Sequence, residues 1–322
     1  MKNTVSELQI YRVKEAVKSL KSRFEKGDFP NNKQLLEICA VNGINPVDSA
    51  SGAHQIHEIL ETALNLFLTE VEWLQPLNAQ NKEDILVRLE EITRKLPPQS
   101  WRDNEQIKLQ QFSTPPALAF VLANLLRPQV GTVALEPSAG TGSLALWLKK
   151  SGCEPIVNEI SEWRRIFLEL QNYQPLAVNA EFLDDLLPAE VKPDYILMNP
   201  PFSTGSGQKR DSNYGFRHVE AALRRLNPGG RLVALLGAKS CLDTDKGKKF
   251  WHRLGQEYSV HALLTVPPEV YYKYGTTFQT IAVVISKPEI GGKFKKFNPQ
   301  IIEFKSLGEI LRFANTLDFS DY

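Results

Sequence analysis

The chain is short of the features that assign a protein quickly. No uninterrupted apolar run reaches the roughly 18 residues of a membrane-spanning helix, and the N-terminus has no apolar signal core. A soluble, cytoplasmic protein with no membrane partner is therefore expected. Cysteine is scarce: Cys39, Cys153 and Cys241 lie far apart with no CxxC pair. That excludes a disulfide framework and leaves no metal-ligand pattern to build on, so no metal is expected. Internal repeats, low-complexity tracts and charged tails are all missing, and the formal net charge is only +1. Total charge thus neither calls for nor excludes nucleic acid; its placement decides.

What is present is a chain of 322 residues, 42% apolar, enough for one large or two medium globular domains. Residues 1–100 read as helices. Val13, Val17, Leu20 and Phe24 follow helical spacing, as do Ile56, Leu60, Ala63, Leu64 and Phe67 within 54–74, and Ile85, Leu86, Leu89 and Ile92 within 82–95. A further short helix is expected over 33–42. Breakers such as GDFPNN and GINPVDSASG separate them. The adjacent prolines of KLPPQSWRDN, 95–104, mark a linker. A small helical N-terminal domain, docking a partner, a second copy or DNA, is the expectation for 1–100.

Beyond residue 105 short apolar runs alternate with helical ones: 132–137, 154–160, 175–180, 194–200, 231–237, 261–267 and 280–286. Continuous apolar strands between turn residues imply a sheet covered on both faces. Residues 105–322 are therefore expected to form a Rossmann-like, doubly wound α/β domain, whose ligands collect at the carboxyl ends of the strands.

The motifs fall at those ends. LEPSAGTG carries Glu136, Ser138, Gly140 and Gly142 between a strand and a helix, with glycines for a tight bend and close approach to a ligand. GK[ST] is missing, so this is no P-loop. Glu159 closes the second run, where an acid commonly takes two ribose hydroxyls, and Glu181 follows the third, where an acceptor could read an exocyclic amine. Together they outline a site for adenosine.

The run 194–200 leads into Asn199-Pro200-Pro201-Phe202. Two prolines fix φ and stiffen the neighbouring backbone carbonyl. The Asn199 side chain offers a second oxygen. Two converging acceptors suit an NH2 on a conjugated ring: taking both hydrogens frees the nitrogen lone pair from the ring. Phe202 gives a flat substrate a face to stack on. Asparagine removes no proton, so the electrophile must come activated, as a sulfonium methyl group does. Methyl transfer from S-adenosylmethionine to a planar amine is the reaction this composition supports.

These residues resemble the adenine-N6 DNA methyltransferases, in particular the gamma group of TaqI-type enzymes and type I restriction-modification subunits, over about residues 105–290. QQFSTPPALAFVLANLL (110–126) resembles the segment upstream of the Gly-rich turn, which implies Thr114 and Pro115 near the methionine carboxylate. LEPSAGTG, Glu159, the EFL at 181–183 and NPPF resemble the motifs that follow. YGTTFQTIAVVISK (274–287) implies a second aromatic, Phe278, against the substrate. Glu181 stands where the family commonly has Asp. Only about 35 residues follow the last strand, so sequence specificity is expected from the N-terminal helices, the loops or a separate subunit. DNA is the implied partner.

Charge agrees in position. From Lys209 to Arg253 eleven Lys/Arg face four acids, whereas residues before 101 hold 12 bases and 14 acids. Lys209 and Arg210, in a Gly/Ser loop just past the tetrapeptide, are the candidate phosphate contacts, with the target base flipped out of its helix. Two alternatives stand beside the DNA reading. One is a protein glutamine methyltransferase, which the helical N-terminus before an NPP-bearing fold also resembles. The other is a non-catalytic, cofactor-binding subunit of a larger assembly.

Overall fold

A computed structural model describes residues 5–45, 50–74, 81–99, 113–202, 214–237, 244–275, 279–292 and 300–319. Four helices come first: α1 (Glu7–Glu25), α2 (Asn32–Val41), α3 (Ala50–Glu70) and α4 (Lys82–Lys95). Ser6 and Asn31 start α1 and α2 with reciprocal capping boxes to Gln9 and Gln34, which satisfy amides that a helix start otherwise leaves open. The apolar stripes read from the sequence are the buried faces: Val13, Val17, Leu20 and Phe24 in α1, Ile85, Leu86, Leu89 and Ile92 in α4.

Helix α5 (Pro116–Leu126) begins with proline in its first turn and is buried at all eleven positions. A helix apolar on every side belongs inside a core. α5 packs on the sheet beneath α4, and its side chains share one hydrophobic cluster with α1, α3 and the strands. The core therefore runs without a break from the N-terminal helices to the sheet.

The sheet comprises β1 (Val133–Glu136), β2 (Glu154–Val157), β3 (Tyr195–Met198), β4 (Arg231–Gly237), β5 (Ser259–Val266), β6 (Thr280–Ser286) and β7 (Ile301–Ile302), in the order β2-β1-β3-β4-β6-β5-β7. All neighbours are parallel except that β6 runs antiparallel to β4 and β5. Helices α6 (Ser143–Lys150), α7 (Glu162–Leu170), α8 (Tyr214–Arg225), α9 (Asp245–Leu254) and α10 (Leu307–Ala314) complete the fold. Alternate strand residues enter different clusters: Leu197, Val233 and Val284 face α5, while Ile196, Leu232 and Val283 face α8 and α9. The expected α/β sheet covered on both faces is the observed one.

One expected strand is absent. Residues 175–180 contribute a single bridge, Asn158 to Leu176. Pro175 has no amide to give, and Asn158 intercepts the ladder: its Nδ2 donates to the Val178 carbonyl at 2.9 Å and its Oδ1 accepts from the Val178 amide at 2.9 Å. The chain then enters a 3-10 turn, Ala180–Phe182. No helix among the described residues is long and apolar enough to cross a membrane.

Candidate functional site

Strand β1 ends at Glu136, and the Gly-rich turn carries the chain to α6. The Ala139 amide donates to the Asn158 carbonyl at 2.9 Å, which ties the turn to the exit of β2. Gly140 (φ 54°) and Gly142 (φ 86°) both use the left-handed region. Their surroundings differ. A side chain at Gly140 would enter open space, whereas one at Gly142 would come 3.1 Å from Leu168 Cδ2 and 3.3 Å from the Gln171 amide. Gly140 keeps the mouth of a cavity open; Gly142 lets α6 pack on α7.

That cavity, of about 510 Å³, is the meeting place of the motifs. Thr114, Glu136, Ser138, Gly140, Glu159, Glu181, Asn199, Pro200 and Pro201 line it. Pro115, Gly142 and Phe202 do not: Pro115 leads into α5, Gly142 caps α6, and Phe202 packs on the core beside Gly237. Lys209, Arg210 and Phe278 lie outside the described residues.

Glu159 is buried and accepts from two backbone amides, Gly140 at 2.8 Å through Oε2 and Ser161 at 2.8 Å through Oε1. It fixes the turn while its remaining lone pairs line the cavity. Glu136 is almost fully buried, and its Oε2 has no partner among the described residues. Burial pushes its carboxyl well above the ordinary range, against a hydrogen bond from the Ala145 amide. Glu181 is not solitary: Arg217 Nε reaches its Oε1 at 2.6 Å. Asn199 donates from Nδ2 to Thr114 Oγ1 at 3.0 Å. Thr114 thus holds the asparagine amide from the loop before α5.

The sequence did not reveal how strongly α3 supports this site. Glu61, buried, accepts from Gln99 Nε2 at 2.8 Å, Ser113 Oγ at 2.7 Å and Thr141 Oγ1 at 3.0 Å. Asn65 donates to the Thr141 carbonyl at 2.8 Å, and Gln171 donates to the same oxygen at 2.8 Å. One turn before Glu61, Glu58 takes Arg164 Nε at 2.7 Å, Trp163 Nε1 at 3.0 Å and His54 Nε2 at 3.0 Å. Burial alone would raise the Glu58 carboxyl; His54 and Arg164 outweigh it and bring it to about 2. Ser113, Thr141 and Arg164 all line the cavity. Their only sequence signal is that α3 carries polar residues on a face that helix periodicity leaves without a role.

Among the described residues, the arginines of the positive region downstream of the tetrapeptide are committed within the molecule. Arg217 pairs with Glu181, Arg224 with Asp184 and Arg253 with Glu220. Arg225 donates to the carbonyls of Pro188 and Val191. Arg231 donates to the Arg127 carbonyl and stacks on Phe319 at 4.3 Å. Lys246, Lys248 and Lys249 on α9 remain exposed.

Comparison with known proteins fits this geometry. Residues 117–245 match the family described as the methyltransferase small domain. A putative class I S-adenosylmethionine-dependent methyltransferase from Listeria monocytogenes superposes with a TM-score of 0.50 at 14% identity, covering 95% of this chain and 90% of that one. A type I restriction-modification methyltransferase subunit from Streptococcus thermophilus gives 0.48 at 16% identity, with 93% and 73% covered. TrmN from Thermus thermophilus gives 0.41 at 21% identity; this chain covers 51% of its length, and 56% of this chain is matched. At such identities the likeness is one of fold. The family match over residues 117–245 and the fold support an S-adenosylmethionine-dependent methyltransferase and imply S-adenosylmethionine as the cofactor. The cavity suits that group: its volume lies in the range of small-molecule sites, a carboxyl oxygen of Glu136 waits for a donor, and Gly140 leaves room for close approach.

Proposed function

We propose that the chain methylates the exocyclic N6 of adenine in DNA, with the target base turned out of its helix into the cavity. The observation that carries this reading is the place of Asn199: it stands at the end of β3 in the wall that also holds Glu136 and Gly140, with its amide anchored by Thr114. When bound, S-adenosylmethionine supplies a sulfonium-borne, electrophilic methyl group. Glu136, Ser138, Gly140 and Glu159 hold the cofactor, with Gly142 shaping the turn, Pro115 placing Thr114, and Glu181 at the purine end.

The chain's own residues prepare the amine. With Nδ2 given to Thr114, Asn199 directs Oδ1 to one amine hydrogen, and the Pro200 carbonyl takes the other. Accepting both hydrogens draws the nitrogen toward tetrahedral geometry and exposes its lone pair. Phe278 gives the base an aromatic face, while Phe202, packed on the core beside Gly237, holds the end of the tetrapeptide that carries Pro200 and Pro201. Asn199 has no basic atom, so the proton leaves to solvent after the nitrogen is methylated. Lys209, Arg210 and the exposed lysines of α9 meet phosphates. The N-terminal helices 1–100 dock a specificity partner or a second copy, as in a restriction-modification assembly.

A filter assay with tritiated cofactor and duplex DNA tests the reading. Label retained on DNA supports it. A carboxamide is also a conjugated NH2, so label on protein with blank DNA would transfer the same two acceptors to a glutamine side chain and overturn the DNA assignment.

A further inference from the structure

Helix α8 turns three neighbouring side chains toward the cavity. Tyr214 and His218 line it, and Arg217, on the same face, reaches Glu181. His218 is 3% exposed, yet neither Nδ1 nor Nε2 has a hydrogen-bond partner. Its ring meets Tyr214 edge-on, 4.7 Å between centroids. A buried imidazole with two idle nitrogens is costly, and a cavity wall is where a ligand repays that cost. Burial, with Arg217 adding to it, lowers the His218 pKa to about 4, so the ring is neutral near pH 7, with one acceptor nitrogen and one donor.

The neighbours identify the ligand group. Glu181, the acid expected to accept from an exocyclic amine, already holds Arg217. At the purine end of the cavity the imidazole is then a buried acceptor with no partner of its own among the described residues. Ile160, just past the ribose-side acid Glu159, also lines the cavity and is 58% exposed, an apolar surface for a flat ring to cover. We infer that His218 is a specificity-determining residue of the cofactor site, its acceptor nitrogen taking a hydrogen from the 6-amino group of the cofactor's adenine. The inference rests on the S-adenosylmethionine cofactor and stands or falls independently of the DNA reading.

The test is a cycle between protein and ligand, read by calorimetry on the full chain without any methyl acceptor. The ligands are S-adenosylhomocysteine and its 6-deamino analogue, in which hydrogen replaces the amine; the proteins are wild type, His218→Phe and His218→Gln. Deleting the amine should cost the wild type about tenfold in affinity, the scale of one net hydrogen bond, and should cost His218→Phe nothing further. A general packing defect would weaken both ligands equally and leave the amine's contribution intact, which would overturn the inference. Should the variants not fold, histidine-labelled wild type decides. One buried imidazole resonance should respond to S-adenosylhomocysteine differently from the 6-deamino analogue; the same response to both, or none, overturns it.

Discussion

Asn199 gives its amide hydrogen to Thr114 across 85 residues of sequence, Nδ2 to Oγ1 at 3.0 Å. This contact changes the role of Thr114. The resemblance places it near the methionine carboxylate; the structure makes it the anchor of the group proposed to accept from the substrate amine. Thr114→Val keeps the shape and removes the acceptor. It should lower kcat by about 10- to 100-fold, on the scale of one positioning interaction, with cofactor affinity within about threefold of wild type. Rapid-quench turnover and calorimetry separate the two quantities; a loss confined to cofactor binding would return Thr114 to the older role. Asn199→Ala should abolish turnover and leave cofactor affinity nearly unchanged.

The two glycines of the turn should fail in different ways. Gly140→Val places a β-branched side chain in the cavity mouth on a backbone with φ 54°, so cofactor binding should be lost, beside a strain cost to the fold of about 1–3 kcal/mol. Gly142→Ala meets Leu168 and Gln171 at 3.1–3.3 Å on a backbone with φ 86°, so it should destabilise by about 1–3 kcal/mol and weaken the cofactor less. Thermal melts with and without S-adenosylhomocysteine distinguish these outcomes.

Glu61 ties three segments to α3. Glu61→Ala strands the donors of Gln99, Ser113 and Thr141, and Asn65→Ala removes a second hold on Thr141. The cost of Glu61→Ala should be about 2–4 kcal/mol in urea unfolding, with a further loss of cofactor affinity because Ser113 and Thr141 are cavity residues. A Glu61→Ala variant of unaltered cofactor affinity would confine α3 to a purely structural part.

Acid should weaken the fold in two stages. His57 and His218 are depressed by burial to about 4, so the unfolded chain takes up protons first, and stability falls as pH drops from about 6.5 to about 4. Glu58, held at about 2 by His54 and Arg164 against its burial, adds stability that is lost as pH falls from 4.5 toward 2. Glu61 and Glu136, raised by burial, work in the opposite direction. His218→Phe should flatten the upper stage and Glu58→Gln the lower one, read as urea midpoints across pH.

Charge on α9 should act on DNA alone. Lys246→Glu with Lys249→Glu should weaken duplex binding and lower the salt slope by roughly one for each phosphate contact removed. Arg217→Ala should instead change cofactor binding, since Arg217 holds Glu181. Fluorescence anisotropy over a salt series reads the first effect and calorimetry the second.

What the sequence made legible follows from local chemistry. Apolar periodicity gave the helix faces, six of the seven apolar runs became strands, and the Gly-rich turn and Asn-Pro-Pro came to one cavity. The missing strand at 175–180 went unseen because its ladder is completed by an asparagine side chain 20 residues away. The two-residue β7 had no apolar run long enough to register. Charges were read less well than hydrophobicity. Arg217 and Arg224 counted toward the positive region past the tetrapeptide because their acids, 36 and 40 residues upstream, become neighbours only in the fold. Glu61 and Thr141, 80 residues apart, share no pattern at all. His218 has no motif; only burial without a partner sets it apart.

The central claim is that Asn199 and Pro200 prepare the amine of adenine for methylation. Its most direct test is nucleoside mass spectrometry of duplex DNA incubated with S-adenosylmethionine and either wild-type chain or Asn199→Ala. N6-methyladenine made by the wild type and missing with the variant, at equal cofactor affinity, is the predicted result. Equal yields from both proteins, or unmodified adenine beside a methylated protein amide, would contradict it.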